Sequence, residues 1–363
     1  MFEIIFVIAV VCYFAQTFIF AVGIKKKFKQ LPFSKLPTAT VIVAARNEEA
    51  NILNCIKSLD ALEYPEGKLE IIIADDRSTD KTASIIDGFI EGKKKFKKVS
   101  VEKETGGLKG KTNALAHAIK QASGEIILTT DADCSVSPKW ASTIASYFTE
   151  GVAMVNGYTN QLANSQFEGM QSLDFIYLLE VAAGASNFDK PLSCIGNNMA
   201  YRKSVYMEVG GYEAIPFSVT EDFNLMFAIY KLGKYKLITP LDKNSLVTSA
   251  PCKSIKEVVR QKKRWGVGGL KSPLRGYLVM ASGFIAHCCF LLTPFFFSPE
   301  ALILIFLKLF LDVMFMLPVL KTLGIQKEIK YFLTFEIYFI AYVIALPIML
   351  LFGKKVIWKG RNF

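Results

Sequence analysis

The sequence predicts an α/β domain with a mostly parallel sheet, attached to one N-terminal and about three C-terminal transmembrane helices. Short strand patterns alternate with helical periods between residues 38 and 253, which is typical of βαβ crossovers. Long apolar runs flank this region on both sides. Of the 363 residues, 52% are hydrophobic, which is more apolar than a soluble protein. We therefore expect a membrane fraction beside a soluble-type domain.

The N-terminal run, residues 4–24, is apolar except for Gln16 and Thr17 and is long enough to cross a hydrocarbon core of about 30 Å. A cleaved signal peptide is the alternative, but the basic residues follow this run instead of preceding it. We therefore expect a retained anchor over residues 1–24, with the lysine-rich segment 25–29 in the cytoplasm.

Three apolar runs near the C-terminus, at about 277–297, 300–320 and 331–352, are each long enough to span a membrane. Lys308 and Asp312 are four residues apart within the second run, so they are expected to pair on one helix face. If all three runs span, the basic tail lies outside, against the positive-inside expectation. If the tail is cytoplasmic, one run is re-entrant or interfacial, and both topologies stay open.

Charge and composition exclude several functions. No zinc-finger, recognition-helix or aromatic RNA-binding pattern accompanies the net charge of +11, so no nucleic-acid partner is expected. Lysine clusters beside apolar segments favour an anionic membrane surface and phosphate-bearing substrates. With two histidines, His117 and His287, and seven cysteines without metal spacing, neither a histidine-based zinc site nor a catalytic triad is expected.

Polar residues capable of chemistry follow three of the predicted strands. The strand at 40–45 leads to Glu48, the strand at 69–74 to Asp75 and Asp76, and the strand at 126–130 to Asp131 and Asp133. The helices are expected at 52–59, 82–90 and 112–122, with a further strand at 99–101. Because ligands of α/β sheets collect at the carboxyl ends of the strands, these residues predict one shared ligand site.

The pair Asp131 and Asp133 predicts a metal site. Two carboxylates at i and i+2, just past a buried strand, can reach one ion if the backbone turns there. Oxygen ligands of this kind suit Mg²⁺ or Mn²⁺ carrying substrate phosphates. The alternative is that Asp133 caps the next helix and Asp131 is a solvated turn residue.

A nucleoside diphosphate is the expected ligand. No glycine fingerprint of dinucleotide-binding folds and no Walker lysine motif follows any strand, which argues against NAD and P-loop chemistry. Lys109 and Lys111 stand where a glycine-rich turn enters a helix, so their ammonium groups can offset diphosphate charge. The alternative is a solvated surface pair.

The ordered motifs resemble those of membrane-bound family 2 glycosyltransferases over roughly residues 38–270. They are Ala45-Arg-Asn-Glu48, Asp75-Asp76-x-Ser-Thr-Asp80, Lys111-x-Asn-Ala-Leu115, Asp131-Ala-Asp133, Thr220-Glu221-Asp222 and Gln261-Lys-Lys-Arg264-Trp265. The resemblance implies a GT-A fold, a Rossmann-like arrangement with a mostly parallel sheet. It also implies a nucleotide-sugar donor, a divalent cation and inversion at the anomeric carbon.

The same resemblance assigns roles to individual residues. The donor would be bound by Ala45, Glu48, Asp75, Asp76, Lys111, Asp131 and Arg264, and the metal by Asp131 and Asp133. Asp222 would be the general base that deprotonates the acceptor. The acceptor side and its gating would involve Gly196, Asn197, Asn198, Glu221, Gln261 and Trp265.

Plainer interpretations stand beside these roles. Residues 194–202 are typical of a turn before a strand, and Thr220 could cap a helix whose first turn is acidic. Residues 254–265 are typical of an interfacial amphipathic helix. Residues 266–269 are expected to form a flexible loop that closes over the nucleotide.

Together these observations predict five segments. They are an anchor at 1–24, a cytoplasmic glycosyltransferase domain at 38–253, an interfacial helix with a gating loop at 254–275, transmembrane helices at 276–353 and a basic tail at 354–363. The expected protein is a multi-pass enzyme of the inner (plasma) membrane with its catalytic domain in the cytoplasm. It would move a sugar, with a UDP-sugar as the expected donor, to a lipid, lipid-linked or glycan acceptor.

Three alternatives are kept. The Gln-x-x-Arg-Trp motif also permits a processive polysaccharide synthase of the chitin, hyaluronan or poly-GlcNAc type. A nucleotide-sugar-binding subunit without turnover would have lost a carboxylate of the motifs, and none is lost. A transporter is disfavoured because most of the chain follows a soluble α/β pattern without paired membrane repeats.

Overall fold

The computed structural model describes residues 1–353, 355–358 and 361–362. Residues 354, 359, 360 and 363, in the predicted basic tail, lie outside the described residues. The chain forms two compact units. We call Lys26–Asn160 with Ser193–Ala250 the α/β unit, and Met1–Lys25, Gln161–Leu192 and Pro251–Phe363 together the helical unit.

The elements follow one another along the chain as follows. Within the described residues the helices are α1 (Phe2–Ile24), α2 (Ile52–Asp60), α3 (Thr82–Ile90), α4 (Gly110–Gln121), α5 (Trp140–Ser146), α6 (Gln166–Ser186), α7 (Lys203–Glu208), α8 (Gly211–Ala214), α9 (Glu221–Lys231), α10 (Ile255–Gly269), α11 (Leu274–Leu292), α12 (Pro299–Leu323) and α13 (Phe332–Leu351). The strands are β1 (Ala39–Ala45), β2 (Leu69–Asp75), β3 (Phe96–Ser100), β4 (Ile126–Asp131), β5 (Cys134–Val136), β6 (Val152–Asn156), β7 (Thr159–Gln161), β8 (Met199–Arg202), β9 (Lys236–Ile238), β10 (Val247–Ser249), β11 (Ile357–Trp358) and β12 (Arg361–Asn362).

The main sheet runs in the order β3-β2-β1-β4-β8-β6-β9. β1 is parallel to β2 and β4, and β2 is parallel to β3, whereas β8 is antiparallel to β4 and β6. This topology confirms the predicted α/β class with its mostly parallel sheet. A second, three-stranded sheet has the order β5-β10-β7.

Both faces of the main sheet are covered, because the side chains of a strand alternate between its two sides. On β1, Val41 and Val43 belong to the hydrophobic core that includes α2 and α5. Ile42, between them, belongs to the other core, with α4 and α9. Each fully buried aliphatic side chain of this size contributes about 1.5–3 kcal/mol. A strand that is apolar along its whole length, such as β1, is therefore stable where both of its faces are buried, in the centre of the sheet.

The third strand begins three residues before its predicted start at residue 99. β3 includes Lys97 and Lys98, and Phe96 and Val99 are buried between exposed neighbours. Pairing with β2 over Ile71–Asp75 determines its extent. Lysines on an edge strand keep its open side from pairing with other chains, so their polarity does not prevent strand formation.

The helical unit contains the apolar segments. Four helices of the described chain are long and apolar enough to cross a membrane, by length and composition: α1, α11, α12 and Gln326–Leu351, which includes α13. These four agree with the prediction of one N-terminal and about three C-terminal segments.

Helix α6 belongs to the helical unit, although the sequence places it within the predicted 38–253 domain. Sixteen of its 21 residues are buried, so it lacks the solvent-facing stripe of a soluble-domain helix. A Cβ atom on Gly23 would lie 2.3 Å from the carbonyl oxygen of Gly184, so α1 and α6 cross at a pair of glycines. Small residues allow such close contact between apolar helices.

The predicted pairing of Lys308 with Asp312 is confirmed. Lys308 Nζ lies 2.8 Å from Asp312 Oδ2 and 2.5 Å from Glu336 Oε2, and all three side chains are buried. The hydroxyl of Tyr13 donates to Asp312 Oδ1 at 2.7 Å. Lys308, Asp312 and Glu336 are therefore paired with one another inside the helical bundle.

The prediction of a flexible loop at residues 266–269 is wrong, because these residues form the last turn of α10. A Cβ atom on Gly266 would lie 2.9 Å from Leu346 Cδ1 of α13, so the close packing of these helices favours glycine. That packing overrides the low helix propensity of glycine, about 1 kcal/mol per residue. The helix begins where predicted, since Ser254 Oγ accepts a hydrogen bond from the backbone N–H of Glu257 at 3.3 Å.

Candidate active site

The carboxyl ends of β2, β1 and β4 bring two aspartates together, one on each side of β1. Ala45, the last residue of β1, is in register with Asp75 of β2, and Ala44 is in register with Asp131 of β4. Because adjacent strands lie about 4.8 Å apart, the two aspartates flank the end of β1, offset by one residue along it. The strand ends that the sequence predicts as one site are thus neighbours.

The loops after β1 and β2 hold each other in place. Asn47 Oδ1 accepts a hydrogen bond from the N–H of Thr79 at 2.8 Å, and the N–H of Asn47 donates to Ser78 Oγ at 3.1 Å. Asn47 and Arg77 have φ values of 51° and 56°, in the left-handed region that few residues other than glycine adopt. Such backbone persists where neighbouring contacts fix it, and it is common at functional sites.

Glu48 and Asp76, both buried, belong to this pair of loops. Glu48 Oε2 accepts a hydrogen bond from Asn51 Nδ2 at 2.9 Å. Asp76 Oδ1 lies 2.9 Å from the guanidinium of Arg77, and Arg46 Nη1 donates to the backbone oxygen of Asp76 at 2.8 Å. The loops thus combine fixed carboxylates with two arginines.

Lys111, in the first turn of α4, joins the end of β4 to the start of α9. Its Nζ lies 2.6 Å from Asp131 Oδ1 and 3.2 Å from Glu221 Oε1, and its side chain is 14% exposed. Burial alone would lower the pKa of Lys111, but the carboxylates of Asp131 and Glu221 outweigh burial and raise that pKa well above its usual value. The ammonium is therefore charged at any physiological pH. Because so little of its side chain is exposed, Lys111 is not a solvated surface lysine.

The turn after β4 contains Asp131, buried Ala132 and Asp133. The helix that follows, α5, begins at Trp140 with Lys139 at its N-cap, so Asp133 is not the cap of that helix. Among the described residues, no group of three or more His, Cys, Asp or Glu side chains could hold a metal ion. Mg²⁺ and Mn²⁺ in sites completed by substrate phosphates need only one or two carboxylates, so this pair fits such an ion.

Two cysteines that the sequence did not single out contact this turn. The thiol of Cys55 donates to the backbone oxygen of Asp131 at 3.5 Å, and that of Cys134 to Asp133 Oδ1 at 3.6 Å. Burial, together with the two nearby carboxylates, raises the pKa of both thiols. They therefore stay protonated and act as weak donors that hold the turn.

Asp222 lies at the start of α9, against the turn that contains Gly196. A Cβ atom on Gly196 would lie 3.1 Å from Asp222 Oδ2, and Asp222 Oδ1 accepts a hydrogen bond from the N–H of Phe223 at 2.8 Å. Thr220 stands at the N-cap position, but its side chain makes no capping hydrogen bond. Thr220 therefore occupies the N-cap position that the capping alternative predicts, but its side chain does not act as a cap.

Asn197 and Asn198 are buried and bound to the surrounding framework. Asn198 Nδ2 donates to the backbone oxygens of Tyr158, at 2.6 Å, and Ser245, at 2.9 Å. Its Oδ1 accepts from the indole N–H of Trp140 at 3.0 Å, and Asn197 Oδ1 accepts from Thr159 Oγ1 at 2.8 Å. These amides hold the turn next to Asp222 in shape, a role that the sequence could not distinguish from direct ligand contact.

Gln261, Arg264 and Trp265 lie on α10, in the helical unit, whereas the residues described above belong to the α/β unit. All three are half-buried. The ring of Trp265 packs edge-on against Phe175 of α6, with ring centroids 5.1 Å apart. Within this unit, Trp265 is thus a packing residue between two helices.

Lys262, between these motif residues, makes an ion pair that the sequence does not reveal. Its Nζ contacts Asp174 Oδ2, and the hydroxyl of Tyr342 donates to Asp174 Oδ1 at 3.0 Å. The ammonium also lies 4.3 Å from the ring centroid of Trp265. Burial raises the pKa of Asp174 and lowers the pKa of Lys262, and their attraction opposes both shifts.

Comparison with curated proteins identifies relatives of about two thirds of the chain. "Probable glycosyltransferase YdaM" of Bacillus subtilis is 26% identical over 64% of this chain and 56% of its own length. A beta-monoglucosyldiacylglycerol synthase of Nostoc is 31% identical over 64% and 49%, respectively. A poly-beta-1,6-N-acetyl-D-glucosamine synthase of Staphylococcus epidermidis is 27% identical over 65% and 55%. The chain spans about half the length of the curated relatives that it matches.

Among solved structures, a mannosyltransferase from Pyrobaculum calidifontis, in complex with GDP-Man and Mn²⁺, matches 93% of this chain and 98% of its own length. The TM-score is 0.61 at 19% sequence identity. At this level of identity the likeness establishes the fold, and the predicted GT-A fold is confirmed.

Family models match most of the chain. The model for glycosyl transferase family 2 matches residues 40–210, and the model for glycosyl transferase family group 2 matches residues 126–353. The second match covers more than half of the 363 residues. The protein therefore belongs to the family 2 group of glycosyltransferases.

Proposed function

We propose that the protein transfers a sugar from a nucleotide-diphosphate sugar to a lipid or lipid-linked acceptor, with inversion at the anomeric carbon. The observation that carries this proposal is the contact of Lys111 with both Asp131 and Glu221. It brings a strand-end carboxylate, suited to a metal ion that carries a diphosphate, next to the helix that presents Asp222. A donor site and an acceptor base would thus share one edge of the sheet.

The donor would lie across the ends of β1 and β2. Asp75 and Asp76 are fixed by their own loops, so their carboxylates can accept hydrogen bonds from a base or a ribose with little loss of entropy. Ala45, next to Asp75, leaves room for the nucleoside because its side chain is a single methyl group. Glu48 lies in the neighbouring loop, and Lys111 would contact the diphosphate.

Asp131 and Asp133 would hold Mg²⁺ or Mn²⁺ together with the donor diphosphate. When bound, the cation supplies positive charge to the leaving diphosphate. The two thiol contacts, from Cys55 and Cys134, keep the turn in the conformation that offers both carboxylates. The relation of this pair to the metal is inferred from its ligand chemistry and position.

Asp222 would act as the general base. It takes the proton of the acceptor hydroxyl while the hydroxyl oxygen forms a bond to the anomeric carbon. The bond from that carbon to the diphosphate oxygen breaks, and the nucleoside diphosphate leaves with the electron pair. Base catalysis of this kind contributes about 10²–10⁴-fold in rate.

A lipid acceptor at the cytoplasmic face of the plasma membrane accounts best for the four apolar helices. The beta-monoglucosyldiacylglycerol synthase relative is named for a lipid product, which supports this choice. The poly-N-acetylglucosamine synthase relative keeps a processive synthase as the second candidate. The donor-binding role of Arg264 and the acceptor and gating roles of Gln261 and Trp265 remain predictions from the family resemblance.

The test is release of nucleoside diphosphate by the full-length protein in detergent. UDP- and GDP-sugars are screened with Mn²⁺ or Mg²⁺ and a lipid extract. Asp222→Asn is expected to lower kcat by about 10²–10⁴-fold. Asp87→Asn is the matched control, because Asp87 is an exposed aspartate of α3 paired with Lys98.

The outcomes separate the candidates. Mass spectrometry of the product shows one added sugar for the proposed transfer and a ladder for a processive synthase. Equal turnover in Asp222→Asn and Asp87→Asn would overturn the assignment of the base. Nucleotide binding without turnover across the whole panel would favour a binding subunit.

A further inference from the structure

Lys111 occupies the position between the two carboxylate motifs of the α/β unit. The ammonium is within 2.6 Å of Asp131 Oδ1, on a carboxylate that the proposed function assigns to the metal. It is also within 3.2 Å of Glu221 Oε1, one residue before the proposed base Asp222. The same cation thus contacts both sides of the proposed reaction.

The backbone that carries Lys111 is fixed, so its side chain is the part that can move. The buried amide of Asn113, in the same turn of α4, accepts from the N–H of Thr105 at 3.1 Å and donates to the oxygen of Lys103 at 3.1 Å. These bonds tie the preceding loop to the helix. Gly110, with φ of 54°, makes the sharp entry into the helix.

The charges around Lys111 favour cations but allow competition between them. The ammonium of Lys111 contacts one carboxylate of each acidic motif, Asp131 after β4 and Glu221 at the start of α9. A divalent ion held by Asp131 would meet the ammonium at short range, where two cations repel strongly in a partly buried site. A diphosphate brings negative charge that can accept the ammonium and remove this repulsion.

We propose that Lys111 couples metal binding to nucleotide binding: its ammonium competes with the metal for Asp131 and moves to the diphosphate when nucleotide and metal bind together. Glu221 keeps the ammonium within reach during this exchange. The inference rests on the proposed function, because it needs the metal at Asp131. It goes further in making the metal and the nucleotide depend on each other through one side chain.

Thermodynamic linkage makes this coupling reciprocal. If the nucleotide draws Lys111 away from Asp131 and so strengthens metal binding, the metal must strengthen nucleotide binding by the same factor. A lysine that only contacted the diphosphate would affect nucleotide affinity and leave the metal affinity of the nucleotide-free protein unchanged. The nucleotide-free measurement therefore distinguishes the two roles.

The experiment measures Mn²⁺ binding from the electron paramagnetic resonance signal of free Mn²⁺, with full-length protein in detergent and no nucleotide. Lys111→Met is expected to bind Mn²⁺ about tenfold more tightly than wild type, because it removes both the competitor and the repulsion. Lys111→Gln is a second neutral variant, and Lys111→Arg keeps the charge. Lys120→Met, on the same helix with a side chain that is 60% exposed, is the matched control for charge.

The titration is repeated with UDP and with GDP. Nucleotide is expected to tighten Mn²⁺ binding less in Lys111→Met and Lys111→Gln than in wild type, whereas Lys111→Arg and Lys120→Met stay close to wild type. One combination of results would overturn this inference alone: Asp131→Asn abolishes Mn²⁺ binding, but wild type and both neutral variants bind Mn²⁺ with equal affinity. Absence of Mn²⁺ binding in wild type and in the neutral variants, with and without nucleotide, would overturn the metal assignment and this inference with it.

Discussion

A Cβ atom on Gly196 would lie 3.1 Å from Asp222 Oδ2 and 3.2 Å from Asp222 Cβ. Gly196 therefore sets how closely the turn before β8 approaches the start of α9. The backbone of Gly196 also bonds to the sheet, because its oxygen accepts from Thr129 Oγ1 at 2.7 Å. The turn cannot retreat without losing this bond, so a larger side chain displaces Asp222 instead.

Gly196→Ala is expected to lower kcat by roughly tenfold, because displacing Asp222 by a fraction of an ångström misaligns the proposed base. The unfolding temperature should change little, since the alanine needs only a local shift. Gly88→Ala, on α3 with open space around the new methyl group, is the matched control. Unchanged kcat in Gly196→Ala would mean that Asp222 does not act from this position.

Asn198→Ala is expected to destabilise the α/β unit. It leaves the indole N–H of Trp140 and the oxygens of Tyr158 and Ser245 buried without this partner. Each such group costs about 1–3 kcal/mol, and the three together correspond to a fall of roughly 5–10 °C or more in the Tm of a unit of this size. Thermal unfolding followed by circular dichroism measures the change. Asn224→Ala removes one exposed bond and should shift Tm by less than about 2 °C.

Lys262→Met is expected to destabilise the helical unit by about 3–5 kcal/mol, because it leaves the buried Asp174 carboxylate without its cation. Lys262→Met combined with Asp174→Asn should recover most of this loss, since the double variant has no buried charge at this point. Thermal aggregation in detergent is the measurement. Lys263→Met, on the same helix, is the control, and a double variant as unstable as the single one would contradict the ion-pair explanation.

Gly184→Val is expected to separate α1 from α6. Its Cβ atom would lie 2.5 Å from Cα and Cβ of Phe20, a contact that moves one helix backbone. The yield of monodisperse protein in detergent should fall by about tenfold or more, as expected for overpacking at a helix crossing. Gly283→Val in α11, where the new side chain meets open space, controls for valine in an apolar helix. Similar yields for both variants would contradict the tight crossing.

The positions of the proposed donor residues could be predicted because each depends on local sequence. An apolar strand followed by a carboxylate reveals both the strand and its carboxyl end, and parallel pairing then brings Asp75 and Asp131 to the same edge. The pairing of Lys308 with Asp312 was similarly accessible, since helix geometry sets the distance between i and i+4. In these cases the spacing along the chain determines the spacing in space.

Features that depend on distant packing could not be predicted. Glycines at 266–269 look like a loop until Leu346 of α13 packs against Gly266. Asn198 looks like a ligand-binding amide until Trp140, 58 residues away, donates to it. Lys262 is one of several lysines in a basic stretch, and only its burial against Asp174 distinguishes it from Lys263.

The crossing of α1 with α6 also sets an order of events during synthesis. About 140 residues separate the end of α1 from the start of α6. At about 5–20 residues per second, α1 is complete roughly 7–28 s before synthesis of α6 begins. Residues 26–160 of the α/β unit are translated in that interval, while residues 193–250 follow later. The first apolar helix is therefore made well before the helix it crosses, and truncations that end before residue 166 leave it without that helix.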